Sequence, residues 1–342
     1  MTTIRDVARK AGVSVATVSR VMNGSGPVSA SAARRIHDAA SALRYVPHVG
    51  ARSLITAKTN TLGVLLPDLY GEFFSELIRG IQLAAQGQGY HLLFASAHGG
   101  KTEIRSAIRA MRGRVDGLII MSPHVDGETL VENFPTSVPV ALLSCGVRGT
   151  RYPVIDIDNA SGAREVVRYL VGLGHRRIAH ITGAVGNVDA AERLKGFRAA
   201  MKAAGCPRAD GPEIDGDFTE AAGYRAGELL LRLSPRPTAV FAANDAMALG
   251  VMGALREGRL RVPEDISVIG FDDIPVARYV HPTLTSVHVP IAEMGERAAT
   301  RMIRALAGPE PMEARVERIP TRLVVRGSSG PPPTSLHRRR ST

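Results

Sequence analysis

Cysteine is nearly absent from this chain: Cys145 and Cys206 are the only two in 342 residues. That excludes a disulfide framework and a cysteine-based zinc cluster. Long apolar runs are missing as well. No stretch approaches the length of a membrane span, and the N-terminus carries no apolar signal segment, so the expected location is the cytoplasm. Catalytic signatures are equally scarce. There is no serine nucleophile elbow and no glycine fingerprint for a dinucleotide. The segment HGGKT at 98–102 resembles the end of a phosphate loop, but a full loop needs a glycine where Ala95 stands. His175 and His180 are five apart, a poor spacing for two ligands on one helix face. No constellation supports an enzyme, and neither a cofactor nor a metal is expected.

Acidic charge is scarce at both ends. Residues 1–58 hold nine Lys/Arg against Asp6 and Asp38, and residues 326–342 hold four Arg and no acid. The body between them is balanced, so the net charge of +11 resides at the ends. A basic module on a neutral body is the footprint of phosphate binding.

The basic N-terminal stretch has the pattern of three short helices. Thr3 and Asp6 have the spacing of a capping box, and Ile4, Val7, Ala8 and Ala11 fall on one helix face. Gly12 suits a helix end, Ser14 caps a second helix with Val18, Val21 and Met22 inside, and Ser29 caps a third with Ile36, Ala40 and Leu43 inside. A glycine turn between the first two helices makes this a helix-turn-helix. The second helix would enter the major groove. There Arg20 suits a bidentate contact to guanine, while Val15 and Ala16 offer apolar contact, for instance to a thymine methyl. Thr17, Ser19, Asn23 and Ser31 have hydroxyl or amide groups suited to phosphates.

From residue 61 onward short β-branched runs alternate with helical patterns. The runs lie at 61–67, 90–96, 115–121, 138–144, 153–158, 177–182, 238–243, 267–271 and 285–289. Such alternation predicts parallel sheets covered by helices, and nine strands fit two sheets better than one. Ligands of open parallel sheets bind beyond the carboxyl ends of the strands. The polar and aromatic residues expected there are Asp68 with Phe73 and Phe74, Ser144, Asn187, Asp189, Arg193, Phe218, Asn244 and Asp272, with Asp273 the weaker choice beside it. Asp, Asn and Arg could bind neighbouring hydroxyls, and a phenylalanine could cover an apolar sugar face.

Several separated segments together resemble the lactose-repressor/galactose-repressor (LacI/GalR) family of bacterial regulators: TIRDVARKAGVSVATVSRVMNG at 3–24, LRYVPHVGARSL at 43–54, GHRRIAHITG at 174–183, RPTAVFAANDAMALG at 236–250 and VPEDISVIGFDD at 262–273. The resemblance runs to about Arg326. It implies an α/β protein: a helix-turn-helix headpiece at 1–46, a hinge helix within 47–58, and a two-lobed periplasmic-binding-protein-like core at 59–326. Lobe 1 is placed at about 59–158 plus 289–318 and lobe 2 at about 159–288 plus 319–326; residues 327–342, rich in proline, glycine, serine and arginine, are expected from their composition to form a disordered basic tail. Val15, Ala16 and Arg20 match base-reading positions. Arg52 and Leu54 fall in the hinge, where Leu54 matches a leucine that wedges into the minor groove at the operator centre. Arg193, Asn244 and Asp272 match effector-contacting positions.

The resulting expectation is a homodimeric regulator that binds a near-palindromic double-stranded operator. It is expected to repress a carbohydrate-utilisation operon under allosteric control by a sugar or sugar derivative. A purine or nucleoside effector is the alternative. Purine-binding members carry Arg and Thr near the positions of Asn187 and Asp189, which speaks against it, and Ser144 stands where many members have a charged residue. A solute-binding protein or an enzyme ranks lower.

Overall fold

The computed structural model describes residues 2–24, 26–46, 58–98, 100–124, 138–145, 152–206, 211–308 and 314–333. The chain divides into two units, one running to Thr61 with Arg114–Asp116 and one holding the remainder.

Among the described residues, the first unit contains three helices, α1 (Ile4–Ala11), α2 (Val15–Asn23) and α3 (Ala30–Ala42). Thr3 and Asp6 form the α1 capping box. The Thr3 amide donates to the Asp6 carboxylate at 3.0 Å, and the Thr3 hydroxyl donates to the same oxygen at 2.7 Å. The Thr3 hydroxyl, then the Thr3 amide, hold the Asp6 carboxyl below its usual range. Gly12 ends α1 at φ 63°, a left-handed conformation that favours glycine. Ser14 then accepts from the Thr17 amide at 3.1 Å and Ser29 from that of Ala32 at 3.4 Å. Val7, Ala8, Ala11, Val18, Ile36, Ala39 and Ala40 form the core, with Val21, Met22, Leu43 and Tyr45 packed on it.

The second unit is built on two six-stranded sheets. In the first, strands β1 (Thr61–Leu66), β2 (His91–Ser96), β3 (Gly117–Met121), β4 (Val140–Leu143), β5 (Val154–Ile157) and β11 (Val316–Ile319) lie in the order β2-β1-β3-β4-β5-β11. In the second, β6 (Ile178–Ile181), β7 (Glu213–Ile214), β8 (Ala239–Ala242), β9 (Ser267–Asp272), β10 (Thr285–His288) and β12 (Arg322–Val324) lie in the order β7-β6-β8-β9-β10-β12. Neighbours from β6 to β10 pair in parallel, and β12 runs antiparallel to β10. Both orders reverse direction beside their first strand, which places a crevice at the carboxyl ends of β1 and β3 and again of β6 and β8. The chain passes between the sheets three times: after β5, after β10 and after β11.

Among the described residues, α-helices α4 (Glu72–Gln86), α5 (Lys101–Met111), α6 (Asn159–Gly172), α7 (Val188–Ala203), α8 (Glu220–Arg232), α9 (Asp245–Glu257) and α10 (Ile291–Ala307) flank the sheets. Buried Val64, Leu66, Ile119 and Leu143 meet Leu77 and Ile81 of α4 and Met294 and Ala298 of α10. Helices α4 and α10 approach so closely that a Cβ at Gly80 would overlap the Ala292 carbonyl, and one at Gly295 the Leu77 carbonyl. On the second sheet, Val240, Ala242 and Val268 pack against Ala226, Leu230, Met247 and Val251. Across the two lobes, the Glu72 carboxylate accepts from the Val276 amide at 2.9 Å, and the Pro123 carbonyl from the Val188 amide at 3.0 Å.

One expectation changes at the C-terminal end. Residues 327–333, expected to open a disordered tail, are part of the second lobe. Fully buried Ser328 accepts from the Thr285 amide at 2.8 Å through its hydroxyl and donates to the Val268 carbonyl at 2.6 Å. His175 joins Thr238 to the Gly330 carbonyl, each at 2.8 Å. These bonds satisfy buried backbone groups of β9 and β10, which local composition does not reveal. Among the described residues, no helix is long and apolar enough to cross a membrane.

Candidate functional site

On α2 the side chains proposed to read bases are open to solvent. Val15 is 41% exposed although it is apolar, and Ala16 and Arg20 are exposed beside it. Positions 16 and 20 are one turn apart and share a face, with Val15 at the start of the helix. Val18 points the other way into the core, which fixes the rotation of the helix. The polar residues nominated for phosphates are in part engaged locally. The Thr17 hydroxyl is 2.8 Å from that of Ser14, Asn23 donates to Ser19 at 3.2 Å, and Ser31 lies 3.3 Å from Ser29. Arg52 and Leu54 lie outside the described residues, as does the hinge segment 49–56.

A second set of groups collects where the strands end. Arg193, on the first turns of α7, is 3% exposed. Its Nε donates to Asn159 Oδ1 at 2.8 Å and its Nη1 to the Ala243 carbonyl at 2.5 Å. Its Nη2 is 3.3 Å from Asp272 Oδ1. The guanidinium lies 3.8 Å from the Phe271 ring centre and 5.9 Å from that of Phe218, distances at which a ring face attracts a cation. Asn159 also donates to Asp189 Oδ1 at 2.7 Å. One asparagine thus holds both the cation and a carboxylate.

Burial raises the carboxyls here. The Asp272 carboxyl is pushed up to about 7 by burial, opposed by Arg193 and reinforced by the charge of Asp189. Asp189 is raised by burial and restrained by Arg193, Asn159 and Ser144. Asp156, on β5, is pushed to about 6 by burial and then by Asp189. Ser144 Oγ is buried without a hydrogen bond of good geometry, and Asp272 Oδ1 has the ion pair alone. Three of the nominated residues have left-handed backbones: Ser144 (φ 44°), Phe218 (φ 73°) and Asp272 (φ 109°). Such strain in non-glycine residues clusters at functional sites.

Of the ten residues nominated from sequence, the structure gathers Asp189, Arg193, Asp272, Phe218 and Ser144 around one site. Asn187 and Asn244 serve as N-caps of α7 and α9, accepting from Ala190 and Met247 at 3.0 Å each, and Asn244 also donates to the Phe218 carbonyl at 2.9 Å. The other three stand apart. Asp68 is exposed and accepts from the amides of Leu69 and Tyr70 in its own loop. Phe73 and Phe74 form an edge-to-face pair 5.3 Å apart against the first-sheet core.

Asp273 faces away from Asp272. It pairs with Arg326 at 2.5 Å and His288 at 3.0 Å, so it holds the fold together. Two participants went unread in the sequence. Asn159 sits at the first crossing between sheets, where its only sequence signal was a polar residue directly after a strand. Asp245 is fully buried, accepting from the Ile274 amide at 2.9 Å and from Ser286 at 2.5 Å. It follows Asn244, whose capping signal hid it.

Residues 3–48 match the family described as bacterial regulatory proteins, lacI family, and residues 167–329 match the periplasmic binding protein-like domain. The ribose operon repressor of Escherichia coli (strain K12) is 38% identical over 332 residues, spanning 96% of this chain and 100% of its own length. The lac repressor dimer bound to operator and the anti-inducer ONPF is similar in structure with a TM-score of 0.84 at 30% identity, over 96% of this chain and 99% of that one. A LacI family transcriptional regulator from Enterococcus faecium with bound ribose has a TM-score of 0.73 at 30% identity, over 79% of this chain and 99% of that one.

Proposed function

Because this chain belongs to the lacI family of bacterial regulatory proteins, we propose that it represses a carbohydrate-utilisation operon in the cytoplasm and answers to a sugar or sugar derivative. It is a DNA-binding transcriptional regulator controlled by a small-molecule effector. The headpiece comprises about 1–46, the hinge 47–58 and the effector core the residues from 59 onward. A homodimer presents two α2 helices to the half-sites of a near-palindrome, with Val15, Ala16 and Arg20 reading bases. Paired Leu54 side chains open a central CG step, where unstacking is offset by the contacts that a bend allows.

The observation that carries the effector reading is the buried Arg193, Asp189, Asp272 and Asn159 cluster. It combines fixed donors and acceptors with the Phe218 ring, a combination suited to a small polyhydroxy molecule. Asn187, already used as a helix cap, offers no support for a purine. Effector binding alters the relation of the lobes and so the folding of the hinge. The test is operator binding by the full chain, measured against a panel of sugars and nucleobases at fixed salt. A shift in operator affinity with one sugar is the expected result. A response to a nucleobase alone would replace the sugar reading.

A further inference from the structure

The cluster has an electrostatic character that narrows its ligand. Among the described residues, Arg193 is the one buried Lys or Arg, whereas Asp189, Asp245, Asp272 and Asp273 are all buried. Asp273 is answered by Arg326. Arg193 is answered by Asp272, with Asp189 as a second carboxylate held through Asn159 and close enough to Asp156 to raise that group. Once Asp272 is ionised, above about 7, the guanidinium therefore carries no spare charge for an anion.

Helix N-termini are the other usual place for a phosphate. The three that open beside these groups are already filled from within. Asp158 accepts from the Ser161 amide at the start of α6, Asn187 from Ala190 at α7, and Asn244 from Met247 at α9. Asp189 and Asp245 add acidic groups in the first turns of α7 and α9. What remains without a hydrogen bond of good geometry is Asp272 Oδ1, which has the Arg193 ion pair alone, and the Ser144 hydroxyl. Buried polar atoms without partners call for a ligand that supplies the missing hydrogens.

Resting on the effector reading above, we infer that this site selects an uncharged polyhydroxy ligand and rejects phosphorylated or carboxylated sugars, with Asp189 the residue that sets the selectivity. Ligand hydroxyls donate to the Asp189 and Asp272 carboxylates. A phosphate dianion brings no donor and meets like charge in a poorly hydrated site, where such repulsion is strong.

Isothermal titration of the full chain at about pH 8, where Asp272 is ionised, with free pentoses and hexoses and with their matching phosphate esters, tests this. The expected result is that one free sugar binds and its ester binds at least about 100-fold more weakly. Asp189→Asn, nearly identical in shape, is expected to narrow that gap by roughly tenfold, which a purely steric exclusion would not do; a circular dichroism melt checks that the variant is folded. An ester that binds as well as its free sugar overturns the charge selectivity and leaves a sugar-responsive regulator standing. Binding of no sugar and no ester overturns both. An unchanged gap in folded Asp189→Asn removes Asp189 as the determinant.

Discussion

Asp272→Asn should make the protein more stable, and by more at high pH than at low. The Asp272 carboxyl is pushed up to about 7 in the folded chain, against about 3.9 when unfolded. Below about 3.9 both states hold the proton and the group contributes no penalty. As pH rises from there, the unfolded chain ionises freely while the folded chain keeps its proton, so stability falls by about 1.4 kcal/mol per pH unit until the folded group also ionises near 7. The accumulated penalty is roughly 4 kcal/mol at pH 8 and roughly 2 kcal/mol at pH 5.5. Asparagine carries no charge at either pH and keeps an oxygen facing Arg193, though it leaves that cation less well compensated. The variant should therefore gain about 2–4 kcal/mol at pH 8, with roughly 2 kcal/mol of that gain gone at pH 5.5. Urea unfolding followed by circular dichroism at both pH values measures it. A variant less stable than the parent at pH 8, or a difference independent of pH, would refute the reasoning and make the Arg193 pair a net stabiliser. The same change should abolish the effector response, since active groups are often kept at a loss of stability.

Three further outcomes are expected. Arg20→Ala should weaken operator binding by about 1–3 kcal/mol and relax preference at one guanine of the half-site; a half-site scan with unchanged base preference would remove Arg20 from the reading set. Leu54→Ala should lower operator affinity and reduce bending while calorimetric effector binding is retained, and normal bending by this variant contradicts the wedge. Ser328→Ala leaves the buried Thr285 amide without its acceptor and should destabilise the core by about 2–3 kcal/mol. An unfolding midpoint equal to the parent's would show that the 327–333 segment does not hold the second lobe.

Much of the fold was legible because it depends on local rules. Ser14 and Ser29 cap helices where the sequence placed caps, Gly12 turns left-handed at the end of α1, and the nine β-branched runs form strands of two sheets, while the short edge strands β7, β11 and antiparallel β12 carry no such run. The site was half legible. Position after a strand nominated Arg193, Asp189 and Asp272 correctly as neighbours, but the same rule nominated Asp68 and Phe73, which satisfy their own loop and core. Asn159 escaped because its two partners lie 30 and 34 residues away on another helix, a relation that no local pattern encodes. The 327–333 segment misled for the opposite reason. Its Gly, Ser and Pro content signals disorder, whereas two hydrogen bonds from one buried hydroxyl to the backbone anchor it.

The central claim is that ligand binding in the core controls sequence-specific DNA binding by the headpiece. Selection of genomic fragments by the purified chain, followed by titration of the recovered operator with and without the candidate sugar at fixed salt, tests it most directly. The account predicts a near-palindromic site beside carbohydrate transport or catabolic genes, with affinity that changes about 5- to 150-fold on adding the sugar and stays constant in Arg193→Ala. Salt-sensitive binding without sequence preference, unaltered by any metabolite, would contradict it.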